Sequence, residues 1–282
     1  MEWYEAIILG LVQGLTEFLP VSSSGHLVIG RDLLGIEKSD DLVFEVVVHA
    51  ATVLSTIVVF RHQIMDLLRG LFKFRYNDQT DYILKICLSM VPVLIVGLFF
   101  RDQVENLFGS VIYVGVALVM TAILLFFSDM ASNPRRGCTS CGKVPVPASG
   151  SDPDGRKYRN GISYWQAFAV GIGQAFAVIP GLSRSGTTIS VGLICGVRRD
   201  VMAQFSFLMV LVPILGEAFL QIVGGEMTAS SLGLLPIALG FVSAFLSGLF
   251  ACKVMIALVK KARLIWFALY CAVVALLIFI FC

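Results

Sequence analysis

The sequence predicts an all-α polytopic membrane protein built from inverted-topology repeats, with six spanning helices and two re-entrant helix–loop–helix hairpins. Three observations indicate this fold: an apolar composition, six long apolar stretches, and two further stretches that are interrupted in the same way. Hydrophobic residues make up 57% of the 282 residues and charged residues only 14%, whereas soluble domains average about 25% charged residues. The formal net charge of +2 is too small to favour a nucleic-acid partner.

Six apolar stretches are long enough to cross a hydrocarbon core of about 30 Å, which takes about 20 helical residues. These stretches are 42–60, 82–100, 111–128, 203–223, 233–258 and 264–282. We expect one spanning helix in each of them.

Two other stretches, 3–35 and 164–197, are apolar but broken in the middle by Pro, Gly and Ser. Only about ten apolar residues follow each break, too few for a second crossing. Each stretch is therefore predicted to enter and leave the membrane on one side. Irregular backbone at that depth is tolerated only where it is buried in protein or lines a wet cavity.

An internal repeat links the two interrupted stretches, because residues 3–48 align without gaps on residues 164–209 at a constant offset of 161. Eight positions are identical, and most are Gly, Ser or Gln: Ala6/Ala167, Gly10/Gly171, Gln13/Gln174, Ser22/Ser183, Ser24/Ser185, Gly25/Gly186, Gly35/Gly196 and Phe44/Phe205. Chance similarity between apolar segments does not explain matches at those polar and glycine positions, so we infer a duplication.

The duplication predicts a single membrane domain over residues 1–282. Repeat one covers 1–130, a cytoplasmic loop covers 131–162, and repeat two covers 163–282. Each repeat contains one hairpin and three crossings, and an odd number of crossings inverts the second repeat relative to the first.

The basic residues predict the orientation of this domain. Fifteen Lys and Arg residues lie in four connecting segments, which are 61–81, 129–162, 198–202 and 259–263. The opposite side carries only Arg31, Lys38 and Arg101. The positive-inside rule places the four basic segments in the cytoplasm and both termini outside. The hairpins then enter from opposite sides, and their breaks can meet inside the membrane.

The first break, QGLTEFLPVSSSGH at residues 13–26, places a carboxylate, three serines and an imidazole at membrane depth. Ionisable groups there are costly and usually functional. Gln13 and Glu17 are four residues apart and share a face of a helix. Ser22–Gly25 are predicted to form an irregular turn after Pro20. Backbone amides in such a turn, backed by a helix N-terminus, favour phosphate oxygens.

The second break, PGLSRSGTT at residues 180–188, repeats this arrangement and adds Arg184, a permanent cation whose fork suits phosphate. A hard cation such as Mg²⁺ or Ca²⁺ prefers oxygen ligands, which Glu17, the Gln13 carbonyl and phosphate itself would supply. A cation, a guanidinium, a hydroxyl and an imidazole are together the parts of phosphoryl transfer.

The roles of nucleophile and base stay open at this point. Ser23 or a neighbouring serine would attack phosphorus with His26 as the base, but the reverse assignment, with His26 as nucleophile, is chemically sound. Small and hydroxyl residues in membrane helices also serve close packing, which is the structural alternative. Glu45 and His49, one turn apart on a predicted span, suit a functional and a structural role equally.

The polar loop at 132–160 contains one CxxC motif, formed by Cys138 and Cys141. A single pair supplies half of a tetrahedral zinc site, so we expect an ordinary loop there.

The two breaks resemble the motifs of the undecaprenyl-diphosphate phosphatase family of bacitracin-resistance proteins, and the resemblance covers nearly the full length. The family motifs are [Glu/Gln]-Gly-Leu-Thr-Glu-Phe-Leu-Pro-Val-Ser-Ser-x-Gly-His, matched by residues 13–26, and Pro-Gly-x-Ser-Arg-Ser-Gly-x-Thr, matched by residues 180–188. The resemblance implies hydrolysis of a C55 polyprenyl diphosphate to the monophosphate, which recycles the lipid carrier for cell-wall synthesis in the cell membrane. It also implies divalent-cation dependence and inverted repeats with two re-entrant hairpins.

Carried over by position, the resemblance makes Glu17 the essential carboxylate and metal ligand, Ser23 the favoured nucleophile, His26 its base and Arg184 the diphosphate-binding guanidinium. The expected substrate contacts are Gln13, Ser22, Ser24, Gly25, Ser183, Ser185, Gly186 and Thr188. Some family members carry Glu where this chain has Gln13, so a metal site here would depend more on Glu17 and on the substrate's oxygens for its ligands. The sequence does not specify an oligomeric state, and a homodimer is compatible with it.

Two other functions use some of the same features. A transporter or lipid flippase would explain the inverted repeat and the polar breaks without hydrolysis. A lipid phosphatase of the phosphatidic acid phosphatase type shares a Ser-Gly-His element like residues 24–26, but it needs a second catalytic His after its Ser-Arg element. His49 and His62 both precede Arg184, which disfavours that family.

Overall fold

The structure is a computed structural model. It describes residues 1–36, 41–73, 75–99, 111–131, 161–179, 181–223, 233–261 and 263–281, without the side chains of 41, 42, 217–223, 260 and 261. The loop with the CxxC motif lies outside the described residues.

The described part of the chain is all-helical, as the sequence predicts, with eleven α-helices and no strand. They are α1 (Trp3–Thr16), α2 (Ser23–Leu34), α3 (Asp41–Val59), α4 (Arg61–Leu71), α5 (Asp78–Phe99), α6 (Val111–Ala131), α7 (Tyr164–Phe176), α8 (Arg184–Ile194), α9 (Arg199–Val223), α10 (Leu234–Lys261) and α11 (Ile265–Phe281).

Each of the six predicted spans coincides with one helix: α3, α5, α6, α9, α10 or α11. By length and composition, α5, α6, α9 and α10 each suit a membrane crossing, and α3 does so together with α4. Helix α11 is a shorter apolar helix of 17 residues. The described chain therefore has four helices suited to crossing a membrane, or five with the bent pair, as expected of a multi-pass membrane protein.

Helix α4 corrects the prediction that residues 61–81 form only a connecting loop. The chain bends by 76° between α3 and α4 and continues as a strongly amphipathic helix. Its apolar residues Ile64, Leu67, Leu68 and Leu71 follow the spacing of one helix face. Ile64 and Leu67 pack against the main hydrophobic core, so tertiary contacts stabilise a helix in a segment whose basic residues suggest a loop.

The two interrupted stretches each form a helix, a break and a second helix, and the offset of 161 relates them. Helices α1 and α7 begin at Trp3 and Tyr164, and helices α2 and α8 begin at Ser23 and Arg184. The internal repeat inferred from the sequence therefore has a structural counterpart at the start of all four helices.

The predicted irregular turn at Ser22–Gly25 is correct only for Ser22, whose φ is 68°, because Ser23 to Gly25 already form the first turn of α2. Ser22 is the N-cap residue, and its Oγ accepts the Gly25 N–H at 3.2 Å. Ser183 caps α8 in the same way by accepting the Gly186 N–H at 3.1 Å. Serine stabilises a helix start in this manner, so a helix begins directly after each capping serine.

Glycines let the first helix of each break pack closely on a helix of the other half. A Cβ on Gly10 would lie 2.5 Å from the Gly240 carbonyl oxygen of α10, and one on Gly14 would clash with Ser247. A Cβ on Gly171 of α7 would overlap the backbone of Ser89 on α5. Small residues of this kind allow close helix contact in membranes, and here they fix α1 against α10 and α7 against α5.

Candidate active site

The two breaks meet in the interior of the molecule. A Cβ on Gly25 would lie 3.6 Å from the Gly181 Cα, and one on Gly186 would lie 3.2 Å from the Pro20 Cβ. The Ser185 hydroxyl also donates a hydrogen bond to the Leu19 carbonyl at 3.1 Å. The N-terminal turns of α2 and α8 are thereby brought together, and free amides at helix N-termini attract phosphate oxygens.

Glu17 follows directly after α1, and its carboxylate is the centre of the hydrogen-bond network. The shared helix face places Gln13 against it, and the Gln13 Nε2 donates to Glu17 Oε2 at 2.9 Å. The Ser23 hydroxyl donates to the same oxygen at 2.5 Å. The Nε2 of His49 on α3 lies 3.8 Å from it. The break thus joins the end of α1 to the start of α2 through one carboxylate.

Arg184 brings the positive charge of the second break to the same place. It is the first residue of α8 and lines a small cavity together with Glu17, and its guanidinium forms no hydrogen bond or ion pair with the described residues. A guanidinium left unpaired beside a cavity is available for an anionic ligand.

The cavity has a volume of about 20 Å³, room for roughly one or two water molecules. Its polar lining comes from Glu17, Thr52, Thr56, Arg184 and Ser185, and Phe18 of the first break closes the rest together with apolar side chains of α3 and α9. A diphosphate is much larger than this space, so its binding requires neighbouring side chains to move.

The remaining hydroxyls of the two motifs differ in what they contact. Ser22 and Ser183 are buried caps, as described above. Thr188 is fully buried, and its hydroxyl is 2.7 Å from that of Ser206 on α9, so it joins α8 to α9. Ser24 is half-buried, and its hydroxyl lies 3.5 Å from the Ser22 hydroxyl. Ser23 is the serine whose hydroxyl contacts the carboxylate.

His26 is held away from the Ser23 hydroxyl by partners on both ring nitrogens. Its Nδ1 donates to the Ser22 carbonyl at 2.7 Å, so its Nε2 accepts from the Tyr270 hydroxyl of α11 at 2.8 Å. The two rings are stacked, with centroids 5.6 Å apart. In this arrangement the group in contact with the Ser23 hydroxyl is Glu17.

One residue of the site was missed from sequence, and two neighbouring residues were left undecided. Tyr270 lies 244 residues from His26 in an apolar stretch with no motif to mark it. His49 carries a signal, because an imidazole in a spanning helix is costly, but its partner is invisible without the fold. Glu45, the other undecided residue, forms an ion pair with Arg31 at 3.3 Å.

The donor set fits one particular type of cation site. Among the described residues, no group of three or more His, Cys, Asp and Glu side chains is placed to hold a metal. The Gln13 Oε1, however, is buried without a hydrogen-bond partner, beside the Glu17 carboxylate that its Nε2 contacts. Mg²⁺ is often bound by one or two carboxylates together with substrate phosphates and water, and Glu17, with the Gln13 carbonyl beside it, suits that mode.

Comparisons with known proteins identify the family of this chain. The model of the family described as bacitracin resistance protein BacA matches residues 6–277. A protein of Bacteroides fragilis named undecaprenyl-diphosphatase is 50% identical over 278 residues, covering 97% of this chain and 96% of the relative. Proteins of the same name from Parabacteroides distasonis and Halothermothrix orenii are also similar. The former is 50% identical over 280 residues, with 98% and 97% coverage, and the latter 35% identical over 281 residues, with 99% and 98% coverage. The chain therefore belongs to the family of bacitracin resistance protein BacA.

Proposed function

We propose that this protein is a membrane phosphatase that hydrolyses undecaprenyl diphosphate to undecaprenyl phosphate and phosphate. Relatives that match this chain over nearly their full length are named undecaprenyl-diphosphatase. The single observation that carries the proposal is the contact between the Ser23 hydroxyl and Glu17 beside the unpaired Arg184. The reaction recycles a lipid carrier for cell-wall synthesis, and bacitracin resistance fits the family name.

The geometry supports a two-step reaction. The Ser23 oxygen attacks the terminal phosphorus while its proton passes to Glu17, with which it already shares a hydrogen bond. The bond from that phosphorus to the bridging oxygen breaks, and the lipid monophosphate leaves. Water then attacks the phosphoserine, and the bond from phosphorus to the Ser23 oxygen breaks. The proton on Glu17 returns to the Ser23 oxygen, and the phosphate leaves with the proton of the attacking water.

Other groups of the site bind and position the substrate. Arg184 and the first-turn amides of α2 and α8 stabilise the charge on the phosphoryl oxygens. His26 links the Ser22 carbonyl to Tyr270, and in the proposed reaction it positions the capping serine before the nucleophile. The remaining motif residues, from Ser24 and Gly25 to Ser185 and Gly186, shape the two helix starts.

A divalent cation such as Mg²⁺ or Ca²⁺ completes the proposed site. Glu17 and the Gln13 carbonyl would hold it, because they are the protein oxygens available there. When bound, it would neutralise phosphate charge.

The proposed topology places the protein in the cell membrane with both termini outside and the two hairpins entering from opposite sides. Asp129, at the end of α6, accepts hydrogen bonds from Arg199 at 2.9 Å and from the Leu264 N–H at 3.1 Å. The Tyr164 hydroxyl donates to Asp81 at 2.8 Å. Both contacts join helix ends that the basic residues assign to the cytoplasm, which supports the placement of these ends on one side of the membrane.

Phosphate release from undecaprenyl diphosphate by the purified protein in detergent tests the function. We expect release with Mg²⁺ or Ca²⁺ and its loss on adding a chelator. Transfer of the lipid across vesicle membranes without any release of phosphate would instead establish the transporter interpretation.

A further inference from the structure

We propose that His49 is a ligand of the catalytic cation through its Nε2, so that the site binds Mn²⁺ as well as Mg²⁺ or Ca²⁺. The inference deepens the proposed phosphatase function and rests on it. It concerns a residue of α3 that lies outside both motifs and faces the carboxylate at the centre of the site.

The distance between the two side chains suits two ligands of one ion. His49 Nε2 and Glu17 Oε2 are 3.8 Å apart, longer than a hydrogen bond of about 2.7–3.2 Å. Imidazole nitrogens and carboxylate oxygens bind a metal at about 2.0–2.2 Å, so a single ion fits between atoms at this separation. Both side chains are largely buried, with 14% and 8% of their surface exposed.

The other ring nitrogen has the partner that a metal-binding histidine needs. His49 Nδ1 lies 2.8 Å from the Glu45 carbonyl oxygen, which only accepts, so the hydrogen-bond pattern assigns the proton to Nδ1. In the neutral ring the Nε2 lone pair then faces Glu17. Metal-ligating histidines commonly donate their second N–H to a backbone carbonyl, which fixes the tautomer and the ring orientation.

A third donor lies beside these two. Gln13 Oε1 is fully buried and has no hydrogen-bond partner, while the Nε2 of the same amide contacts Glu17. A buried carbonyl without a donor is unfavourable, and a cation would satisfy it. One carboxylate, one imidazole and one amide carbonyl leave the remaining coordination positions to phosphate and water.

The imidazole widens the range of ions that the site can bind. Carboxylate, carbonyl and water ligands suit Mg²⁺, Ca²⁺ and Mn²⁺, whereas imidazole suits transition metals such as Zn²⁺ and Fe²⁺. Mn²⁺ prefers the oxygen ligands of this site and, as a first-row transition metal, also accepts a nitrogen ligand. In a chain with the uncharged Gln13, the His49 nitrogen supplies a further ligand without adding charge.

Pulsed electron paramagnetic resonance of Mn²⁺ bound to the purified, chelator-washed full-length protein tests the proposal. We expect modulation of the signal by a directly bound nitrogen in the wild type and its loss in His49→Gln. Mn²⁺ affinity should fall at least about tenfold in that variant, since losing even the hydrogen-bond partner of a ligand lowers metal affinity by about 10–100-fold. The matched control is His62→Gln, because His62 is exposed on α4; it should keep the modulation.

Labelling histidine with ¹⁵N in the wild-type protein makes the test independent of how any variant folds. A change in the modulation on labelling supports the proposal. Bound Mn²⁺ without nitrogen coupling, unchanged coupling in His49→Gln, or no Mn²⁺ binding at millimolar concentration would each overturn it. Phosphate release measured on the same preparation separates the two claims. Phosphate release without nitrogen coupling would contradict only the claim that His49 is a ligand. Nitrogen coupling without phosphate release would contradict only the phosphatase function.

Discussion

Ser23 and Arg184 occupy the same position in the two repeats, each as the first residue of a short helix that begins after a capping serine. The offset of 161 relates them, yet Ser23 contacts Glu17 whereas Arg184 lines the cavity beside it. One duplicated backbone frame thus presents a hydroxyl from one half and a guanidinium from the other. This complementarity explains why neither half would form the site alone.

Replacing Ser23 by Ala should lower phosphate release by roughly 10³-fold or more, because it removes the proposed nucleophile. Steady-state release from undecaprenyl diphosphate measures the effect. Ser243→Ala is the matched control, since the Ser243 hydroxyl bonds to the Ile7 carbonyl of α1; it should retain near-normal turnover. Turnover by Ser23→Ala at the level of the control would show that another group attacks phosphorus.

Comparing Arg184→Ala with Arg184→Lys distinguishes the effect of the positive charge from the effect of the planar guanidinium. Arg184→Ala should reduce turnover by about 10²–10³-fold, the range for loss of one charge-stabilising donor. Arg184→Lys should recover part of that loss, because it keeps the charge but not the planar fork that binds phosphate with two N–H groups. Equal turnover in the two variants would argue against bidentate binding.

Gly14→Ala should destabilise the protein by about 1–3 kcal/mol through overpacking of α1 against α10. The added methyl group would lie 2.5 Å from the Ala244 carbonyl oxygen and 2.8 Å from the Gly248 nitrogen. Gly97→Ala is the control, because nothing lies within 4 Å of a Cβ there. Thermal unfolding in detergent should show a lower Tm for Gly14→Ala alone, and equal Tm values would contradict the close packing.

Lys85→Met should destabilise the protein by about 3–5 kcal/mol, the cost of removing one partner of a buried ion pair. Lys85 Nζ lies 2.6 Å from Asp81 Oδ2, and both side chains are almost completely buried. Adding Asp81→Asn to Lys85→Met should restore part of the stability, because the buried negative charge is then removed together with its Lys85 partner. A thermal-unfolding double-mutant cycle measures this, and a double variant no more stable than Lys85→Met would refute the coupling.

Local spacing predicted the parts of the site that are close in sequence. The four-residue spacing of Gln13 and Glu17 gave their shared helix face, and the repeat gave the matching starts of α2 and α8. The capping serines could have corrected the predicted turn at Ser22–Gly25, since a serine before such a segment is typical of a helix start. The helix in α4 was missed because its basic residues were interpreted only as a sign of topology.

Contacts between distant segments could not be predicted from one sequence. Tyr270 reaches His26, and His49 reaches Glu17, only because α11 and α3 pack against the hairpin. The buried pair of Asp81 and Lys85 stands at the start of a span, where charges are ordinarily solvated. In each case the partner is determined by tertiary packing rather than by local pattern.

The most direct test of the composite site is phosphate release from undecaprenyl diphosphate by Glu17→Gln measured beside Arg184→Ala. Glu17→Gln keeps the shape of the side chain but removes the proposed base, whose contribution is about 10²–10⁴-fold. Both variants should remain folded and lose nearly all turnover, because one half supplies the base and nucleophile and the other the guanidinium. Wild-type turnover by either folded variant would contradict a site shared between the two repeats.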